Sequence, residues 1–161
     1  MLSQIPINSQ MKIIQGNLIT LAKQNYFDVI VHGCNCFCTM GAGIALTIKN
    51  EFPEAYAADC QTAKGDKNKL GTISYAKIER NGINLTVVNG YTQFNYSGSG
   101  ILVDYDAVAS VFNSVKQQFT GQKIGYPKIG AGLAKGDWQI ISSIIDRELE
   151  SEDHTLVEFN R

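Results

Sequence analysis

Apolar residues follow two different spacings along this chain, and each spacing predicts a different kind of element. Short apolar runs and alternating patterns predict strands, whereas apolar positions three and four residues apart predict helices. Strands are predicted at residues 12–15, 26–32, 72–78, 83–89, 123–127 and 154–159. Helices are predicted from residue 18 onward and at residues 41–50, 53–64, 104–119 and 137–149, the last with Ile140, Ile141, Ile144, Ile145 and Leu149 on its apolar face.

The order of these elements predicts the fold class. Strands and helices alternate, except that two helices follow one another at residues 41–50 and 53–64 and that Asn81-Gly82 joins two strands as a hairpin. The pattern favours an α/β protein, a three-layer α/β/α sandwich with a mixed central sheet. No repeat or linker interrupts it, so residues 1–161 are expected to be a single domain with its core at about 12–159 and a loosely fixed lead-in at 1–10.

The segment 31–44, VHGCNCFCTMGAGI, carries the strongest chemical signal. A β-branched strand ends at His32, a turn of small and polar residues follows, and a helical pattern resumes at Gly41. Glycines let backbone N–H groups approach an anion, and a helix N-terminus adds a positive dipole. Ligands of open α/β sheets bind beyond the carboxyl ends of strands, where the loops 33–43, 90–100 and 128–136 are expected to meet.

Composition excludes several classes of protein. The chain is 44% hydrophobic and 18% charged, as in globular proteins, and its net charge of −1 does not favour general nucleic-acid binding. Apolar runs are too short for a membrane span, and residues 1–10 lack the character of a signal peptide. We expect a cytoplasmic monomer with no membrane partner.

Three motifs resemble those of macrodomains, the fold that binds ADP-ribose. They are Gly16-Asn17-Leu18, the stretch from His32-Gly33-Cys34-Asn35-Cys36 to Met40-Gly41-Ala42-Gly43-Ile44-Ala45, and the stretch from Tyr126 to Leu133. Their order and spacing match across roughly residues 12–159. The second motif is similar to the branch that comprises ADP-ribose 1″-phosphate phosphatases and phage relatives. If the chain is itself phage-encoded, its expected location is the host cytoplasm.

The resemblance implies a set of site residues. Asn35 would bind the distal ribose, Asn17 would contact adenine, and His32 and Asp137 fall where a catalytic histidine and its acidic partner are expected. Asn17 replaces the aspartate of many macrodomains, so weaker adenine discrimination is expected. The full predicted ligand-binding set is Asn17, Leu18, Asn35, Met40, Gly41, Ala42, Gly43, Ile44, Ile129, Gly130, Ala131, Gly132 and Leu133.

Each singled-out residue also has a structural interpretation. His32 fits a histidine satisfied at a strand end as well as a base or nucleophile. Asp137 fits a helix cap. Tyr91, Phe94 and Tyr96 either fold their loop onto the core or contact the ligand, and Lys128 and Lys135 either add charge near the phosphates or are solvated.

The four cysteines are expected to be free thiols. Cys34, Cys36 and Cys38 alternate on one short segment, and this spacing does not supply a tetrahedral metal site. No metal and no other cofactor is expected.

The leading functional expectation is hydrolysis of ADP-ribose 1″-phosphate to ADP-ribose and phosphate. One alternative is a reader that binds ADP-ribose without turnover. The other is a hydrolase that removes ADP-ribose from modified protein or nucleic acid. A lysine-dependent branch of such hydrolases has Lys in the loop matching 90–100 and Asp where Ala134 stands, and this chain has neither.

Overall fold

A computed structural model of the chain describes residues 10–159. The predicted lead-in therefore lies outside the described residues, apart from Gln10. The strands of the sheet are β1 Lys12–Gly16, β2 Val29–Cys34, β3 Ile73–Arg80, β4 Ile83–Tyr91, β5 Ile124–Tyr126 and β6 His154–Phe159. The helices are α1 Leu18–Lys23, α2 Gly43–Glu51, α3 Pro53–Cys60, α4 Tyr105–Gln118 and α5 Trp138–Glu148, with a short 3₁₀ turn at Lys67–Lys69.

The described strands form one mixed sheet in the order β1-β6-β5-β2-β4-β3. All neighbouring pairs are parallel except β3 and β4, which are antiparallel. Asn81 and Gly82 turn the β3–β4 hairpin with φ angles of 52° and 78°, as the predicted two-residue turn requires. The parallel strands place the loops after β2, β4 and β5 at one edge of the sheet.

Helices cover both faces of the sheet and confirm the predicted three-layer sandwich. Helices α4 and α5 pack on one face, where Val29 and Val31 of β2 meet the buried side of α4. Helices α1, α2 and α3 pack on the other face, where Ile30 contacts a separate apolar cluster. Successive side chains of β2 point to opposite faces of the sheet. His32 therefore faces the same helical layer as Ile30.

Several predicted boundaries are wrong, each for a local reason. Strand β2 begins at Val29 rather than at residue 26, because Asp28 Oδ2 accepts a hydrogen bond from the backbone N–H of Lys123. Helix α3 ends at Cys60 rather than at residue 64, because Thr62 closes a turn onto the Asp59 carbonyl. Ile140 is 44% exposed and does not join the apolar face predicted for α5.

The predicted helix N-caps are confirmed. Asn17, Asp104 and Asp137 each accept a backbone hydrogen bond from the first turn of the helix that follows. Within residues 10–159, no helix combines the length and the apolar character that crossing a bilayer requires.

Candidate functional site

A cavity of about 580 Å³ opens where the carboxyl ends of β2 and β5 meet. Its walls come from the loop between β2 and α2, the loop after β5, and the segment after β4. Of the predicted ligand-binding residues, those that line it are Asn35, Met40, Gly41, Ala42, Gly43, Ile44, Ile129, Gly130, Gly132 and Leu133. The predicted convergence of three loops at this edge is therefore seen in the structure.

The side chain of Asn35 fixes the loop between β2 and α2. Its Oδ1 accepts a hydrogen bond of 2.8 Å from the backbone N–H of Phe37, and its Nδ2 donates one of 2.7 Å to Thr39 Oγ1. Met40 follows with a φ of 39° and a buried side chain, which leads the chain into α2. The amide of Asn35 thus shapes the wall of the cavity, and its contact with a ribose stays a prediction.

The first turn of α2 presents backbone donors to the cavity. Ala42 is the N-cap of this helix and offers no side-chain cap. The first N–H groups of an α-helix have no partner within the helix, and here Gly43 and Ile44 line the cavity. These donors and the positive end of the helix dipole favour an anion or a hydroxyl oxygen at this wall.

The loop after β5 also lines the cavity and needs glycine at two positions. Gly130 has a φ of 75°, and a Cβ atom there would lie 2.7 Å from Val103 Cγ2. A Cβ at Gly136 would lie 2.5 Å from Val103 Cγ1. Gly132 is different, since a Cβ there would meet no atom within 4 Å. Close packing therefore explains Gly130 and Gly136, whereas Gly132 has no such steric requirement, and its contact with a ligand stays a prediction.

Aromatic residues of the segment after β4 divide between the core and the cavity. Tyr91 is fully buried, and the Phe94 ring packs edge-on against Phe37 with the centroids 5.0 Å apart. Tyr96 also contacts Phe37, but it is 59% exposed and lines the cavity. Of the three aromatic residues, Tyr96 is therefore the one placed to contact a ligand.

His32 lies outside the cavity lining and faces the layer of α3. Its imidazole is fully buried, and Nε2 lies 2.7 Å from Asn89 Oδ1. Because Asn89 Nδ2 donates to the Ala55 carbonyl and to Ser74 Oγ, the Asn89 oxygen accepts and His32 Nε2 carries the proton. Burial lowers the pKa of His32. These contacts give the imidazole a structural role, and its catalytic role stays a prediction.

The remaining predicted residues also lie outside the cavity lining. Asp137 accepts a hydrogen bond from the Gln139 backbone N–H at 2.9 Å, and Asn17 accepts one from Thr20 at 3.1 Å, so both side chains serve as caps. Leu18, the first residue of α1, is buried in the core, and the backbone N–H of Ala131 closes a turn by donating to the Lys128 carbonyl. Their contacts with substrate or ligand stay predictions.

Asp59, in the last turn of α3, lines the cavity and was not singled out from the sequence. It is only 1% exposed, and its Oδ1 accepts a hydrogen bond of 2.7 Å from the Tyr91 hydroxyl. Lys69 Nζ lies 3.8 Å from the same oxygen. A signal was available, because Asp59 stands four residues after the buried Ala55 and so shares the helix face that packs on the sheet.

The cysteines are free thiols, as predicted. Burial raises the pKa of Cys34, which lines the cavity, and that of Cys36, so both stay protonated near neutral pH. Within the range 10–159, no cluster of three or more His, Cys, Asp or Glu side chains is arranged to hold a metal ion.

Comparison with known proteins identifies the family. The sequence model of the Macro domain matches residues 31–145. The chain is 37% identical to an uncharacterized 17.5 kDa protein of the tk-vs intergenic region of Enterobacteria phage T4, over 84% of this chain and 87% of that protein. It is 27% identical to the ADP-ribose 1″-phosphate phosphatase of Debaryomyces hansenii, over 84% and 92% of the two chains.

Two further similarities are more distant. The ADP-ribose glycohydrolase OARD1 of Bos taurus is 26% identical, over 86% of this chain and 89% of that protein. The solved structure of Thermosipho africanus DarTG in complex with ADP-ribose superimposes with a TM-score of 0.73 at 16% identity, over 96% of this chain and 42% of that chain. The sandwich fold, the glycine-lined cavity at its sheet edge and these matches agree: the chain belongs to the Macro domain family.

Proposed function

We propose that this chain binds ADP-ribose derivatives in the cavity and hydrolyses ADP-ribose 1″-phosphate to ADP-ribose and phosphate. The observation that carries the proposal is that two segments rich in backbone donors line the same cavity. One is the first turn of α2, which has no side-chain cap, and the other is the glycine loop around Gly132. Two such segments suit a ligand with two linked phosphates.

The charges around the cavity support recognition by the backbone rather than by basic side chains. Lys128 is the lysine that lines the cavity in the described part of the chain, and its Nζ lies 3.0 Å from Glu158 Oε2. That ion pair already offsets much of its charge. Phosphate binding therefore depends on N–H groups whose positions are fixed by the fold, and such preorganised donors stabilise charge without reorganisation.

The reaction transfers a phosphoryl group from the 1″-oxygen of the ribose to water. A bond forms between the water oxygen and phosphorus, the bond from phosphorus to the 1″-oxygen breaks, and that oxygen leaves as the hydroxyl of ADP-ribose. The nucleotide part of the substrate does not react, but its binding holds the bond between phosphorus and the 1″-oxygen in position. Binding energy used in this way accelerates the chemical step. The similarity to the Debaryomyces hansenii phosphatase, which spans 92% of that protein, supports this assignment.

A second candidate is the release of ADP-ribose from a modified protein or nucleic acid. Asp59 favours it, because a carboxylate at the cavity surface stabilises the positive charge that develops on a ribose ring when its glycosidic bond breaks. The similarity to OARD1 supports the same reaction class.

Phosphate release from ADP-ribose 1″-phosphate tests the proposal, with ADP-ribose affinity measured by calorimetry in parallel. We expect turnover that persists with chelator present. Gly132→Glu should abolish both turnover and binding, since it adds a negative charge at the cavity wall. Gln118→Glu, an equal charge change at an exposed position of α4 outside the cavity lining, should alter neither.

Three results would contradict the phosphatase assignment, each in a different way. Tight ADP-ribose binding without turnover of any substrate would identify a reader. Release of ADP-ribose from a modified protein or nucleic acid, without phosphate release, would favour the second candidate. Absence of ADP-ribose binding would refute the proposed ligand itself.

A further inference from the structure

The cavity contains one side chain suited to accept a proton from water. Four titratable side chains line it in the described part of the chain, namely those of Cys34, Asp59, Tyr96 and Lys128. Cys34 is held as a thiol by burial, Lys128 pairs with Glu158, and Tyr96 is exposed at the mouth. Asp59 is the carboxylate of this set.

Contacts on one side hold the Asp59 carboxylate in place. The Tyr91 hydroxyl donates to Oδ1 at 2.7 Å, and Lys69 Nζ lies 3.8 Å from that oxygen. Lys69 also lies over the Tyr91 ring, 4.4 Å from its centroid, and donates to Cys38 Sγ at 3.5 Å. Lys69 is not among the residues that line the cavity, so it pairs with Asp59 from behind and is not placed to attack a ligand.

The second oxygen of Asp59 has no hydrogen-bond partner among the described residues. Oδ2 is buried, although Asp59 as a whole lines the cavity. A buried acceptor without a partner is costly, so such atoms are rare and call for an explanation. A hydrogen bond from a water or a ligand hydroxyl in the cavity would satisfy this one.

The position of Asp59 along the cavity points to the ribose end. Cys38 Sγ donates to the Asp59 backbone carbonyl at 3.3 Å, so the end of α3 packs against the turn that Asn35 fixes. Cys34, the residue just before Asn35, lines the cavity together with Asp59. The loop around Gly132 lies on another wall, so Asp59 belongs to the end of the cavity that is predicted to hold the distal ribose.

We propose that Asp59 is the general base of the reaction, a role that rests on the proposed phosphatase function. Oδ2 accepts a hydrogen bond from the attacking water and takes its proton as the oxygen bonds to phosphorus. The electron pair of the broken bond goes to the 1″-oxygen of ADP-ribose. The proton on Asp59 then passes to that oxygen or to solvent, which restores the carboxylate.

Asp59→Asn tests this role, because it keeps the shape of the side chain and removes the base. We expect kcat to fall by about 100-fold or more, in line with the loss of general-base catalysis, while the affinity for ADP-ribose is unchanged. Asp153→Asn is the matched control, since this exposed carboxylate pairs with Lys12 away from the cavity, and it should keep the wild-type kcat.

Chemical rescue distinguishes a base from a structural carboxylate. Asp59→Ala leaves space at the cavity surface, and added formate should restore part of its phosphate release. The same formate should not accelerate Asp153→Ala. If Asp59→Asn does not fold because Lys69 is left buried without its partner, the double variant Asp59→Asn/Lys69→Met removes both charges, and it should fold, bind ADP-ribose and lack turnover.

Oxygen-18 water tests the bond that forms. Turnover in labelled water should place one labelled oxygen in the released phosphate, and unlabelled phosphate would overturn attack at phosphorus. Wild-type kcat in Asp59→Asn or in the double variant, or the absence of formate rescue, would overturn the role of Asp59 while phosphate release by the wild type stands. Failure of the wild type to release phosphate would instead refute the proposed function.

Discussion

The hydroxyl of Tyr91 donates a hydrogen bond of 2.7 Å to Asp59 Oδ1 and so joins the last residue of β4 to the last turn of α3. Burial raises the pKa of the Tyr91 hydroxyl, which therefore keeps its proton near neutral pH and acts as a donor. The hydroxyl also lies 2.7 Å from Ser74 Oγ. One phenol thus ties together two strands and a helix beneath the cavity.

Tyr91→Phe should destabilise the fold, because it removes the hydroxyl group and leaves the buried Asp59 Oδ1 without this hydrogen bond. We expect the free energy of unfolding to fall by about 1–3 kcal/mol, measured by urea denaturation. Tyr75→Phe is the control, since the Tyr75 side chain is exposed on β3 and should show no change. Equal stability of the two variants would contradict the importance of the contact.

Replacement of Lys69 should also destabilise the fold, because it leaves the buried Asp59 carboxylate without its positively charged partner. Lys69 and Asp59 are both buried, and breaking a buried ion pair by removing one partner costs about 3 kcal/mol. Lys69→Met is therefore expected to unfold at a clearly lower urea concentration than the wild type. Lys64→Met, at an exposed position, should unfold as the wild type does. A Lys69→Met midpoint matching that of Lys64→Met would mean that the pair contributes nothing.

Two glycines of the loop after β5 should separate folding from binding. Gly130→Ala places a Cβ 2.7 Å from Val103 in a conformation with positive φ, so it should lower the free energy of unfolding by about 1–3 kcal/mol. Gly132→Ala meets no atom within 4 Å and should leave stability unchanged.

The same Gly132→Ala variant should weaken ADP-ribose binding, because its methyl group stands between the ligand and the loop backbone. Calorimetry measures the binding, and thermal denaturation measures the stability. Wild-type affinity in Gly132→Ala would show that the ligand does not approach this loop closely.

Stability should depend on pH through His32. Burial lowers the pKa of His32 from 6.5, so below that pH the unfolded chain binds a proton that the folded chain excludes. The contribution of the neutral His32 to the free energy of unfolding is fully present above pH 6.5. It is lost as the pH falls toward the pKa of the folded state, by up to about 1.4 kcal/mol per pH unit. Asn89, Cys34 and Asp59 are the groups that act on the imidazole.

His32→Gln keeps a side-chain donor toward Asn89 but does not titrate. Urea midpoints compared between pH 7 and 5 should fall less for this variant than for the wild type, while its phosphate release is retained. A parallel fall would contradict the buried neutral imidazole. Loss of kcat with unchanged affinity and stability would support the catalytic role that the resemblance implies for His32.

The order of elements and the helix caps could be predicted from the sequence because both depend on local spacing. Asp104 and Asp137 precede apolar periodic segments, and each caps its helix. The motif from Met40 to Ile44 likewise carried its own turn and helix signals, and it lines the cavity. A cavity wall formed by consecutive residues can therefore be predicted from the sequence, while the ligand contacts of those residues stay predictions.

The direction of His32 and the position of Asp59 depend on tertiary structure. His32 ends a run of buried residues, and only the register of β2 in the sheet turns its side chain toward α3 rather than into the cavity. Asp59 and Lys69 are separated by a loop, and their approach depends on how α3 packs against Tyr91. Pattern and spacing do not carry that information.

A crystal structure of the chain with ADP-ribose would show where the ligand binds. We predict the diphosphate between the first turn of α2 and the loop around Gly132, with the distal ribose next to Asp59 and a water or hydroxyl within hydrogen-bond distance of Oδ2. A ligand bound outside this cavity, or one whose distal ribose lies away from Asp59, would contradict this prediction.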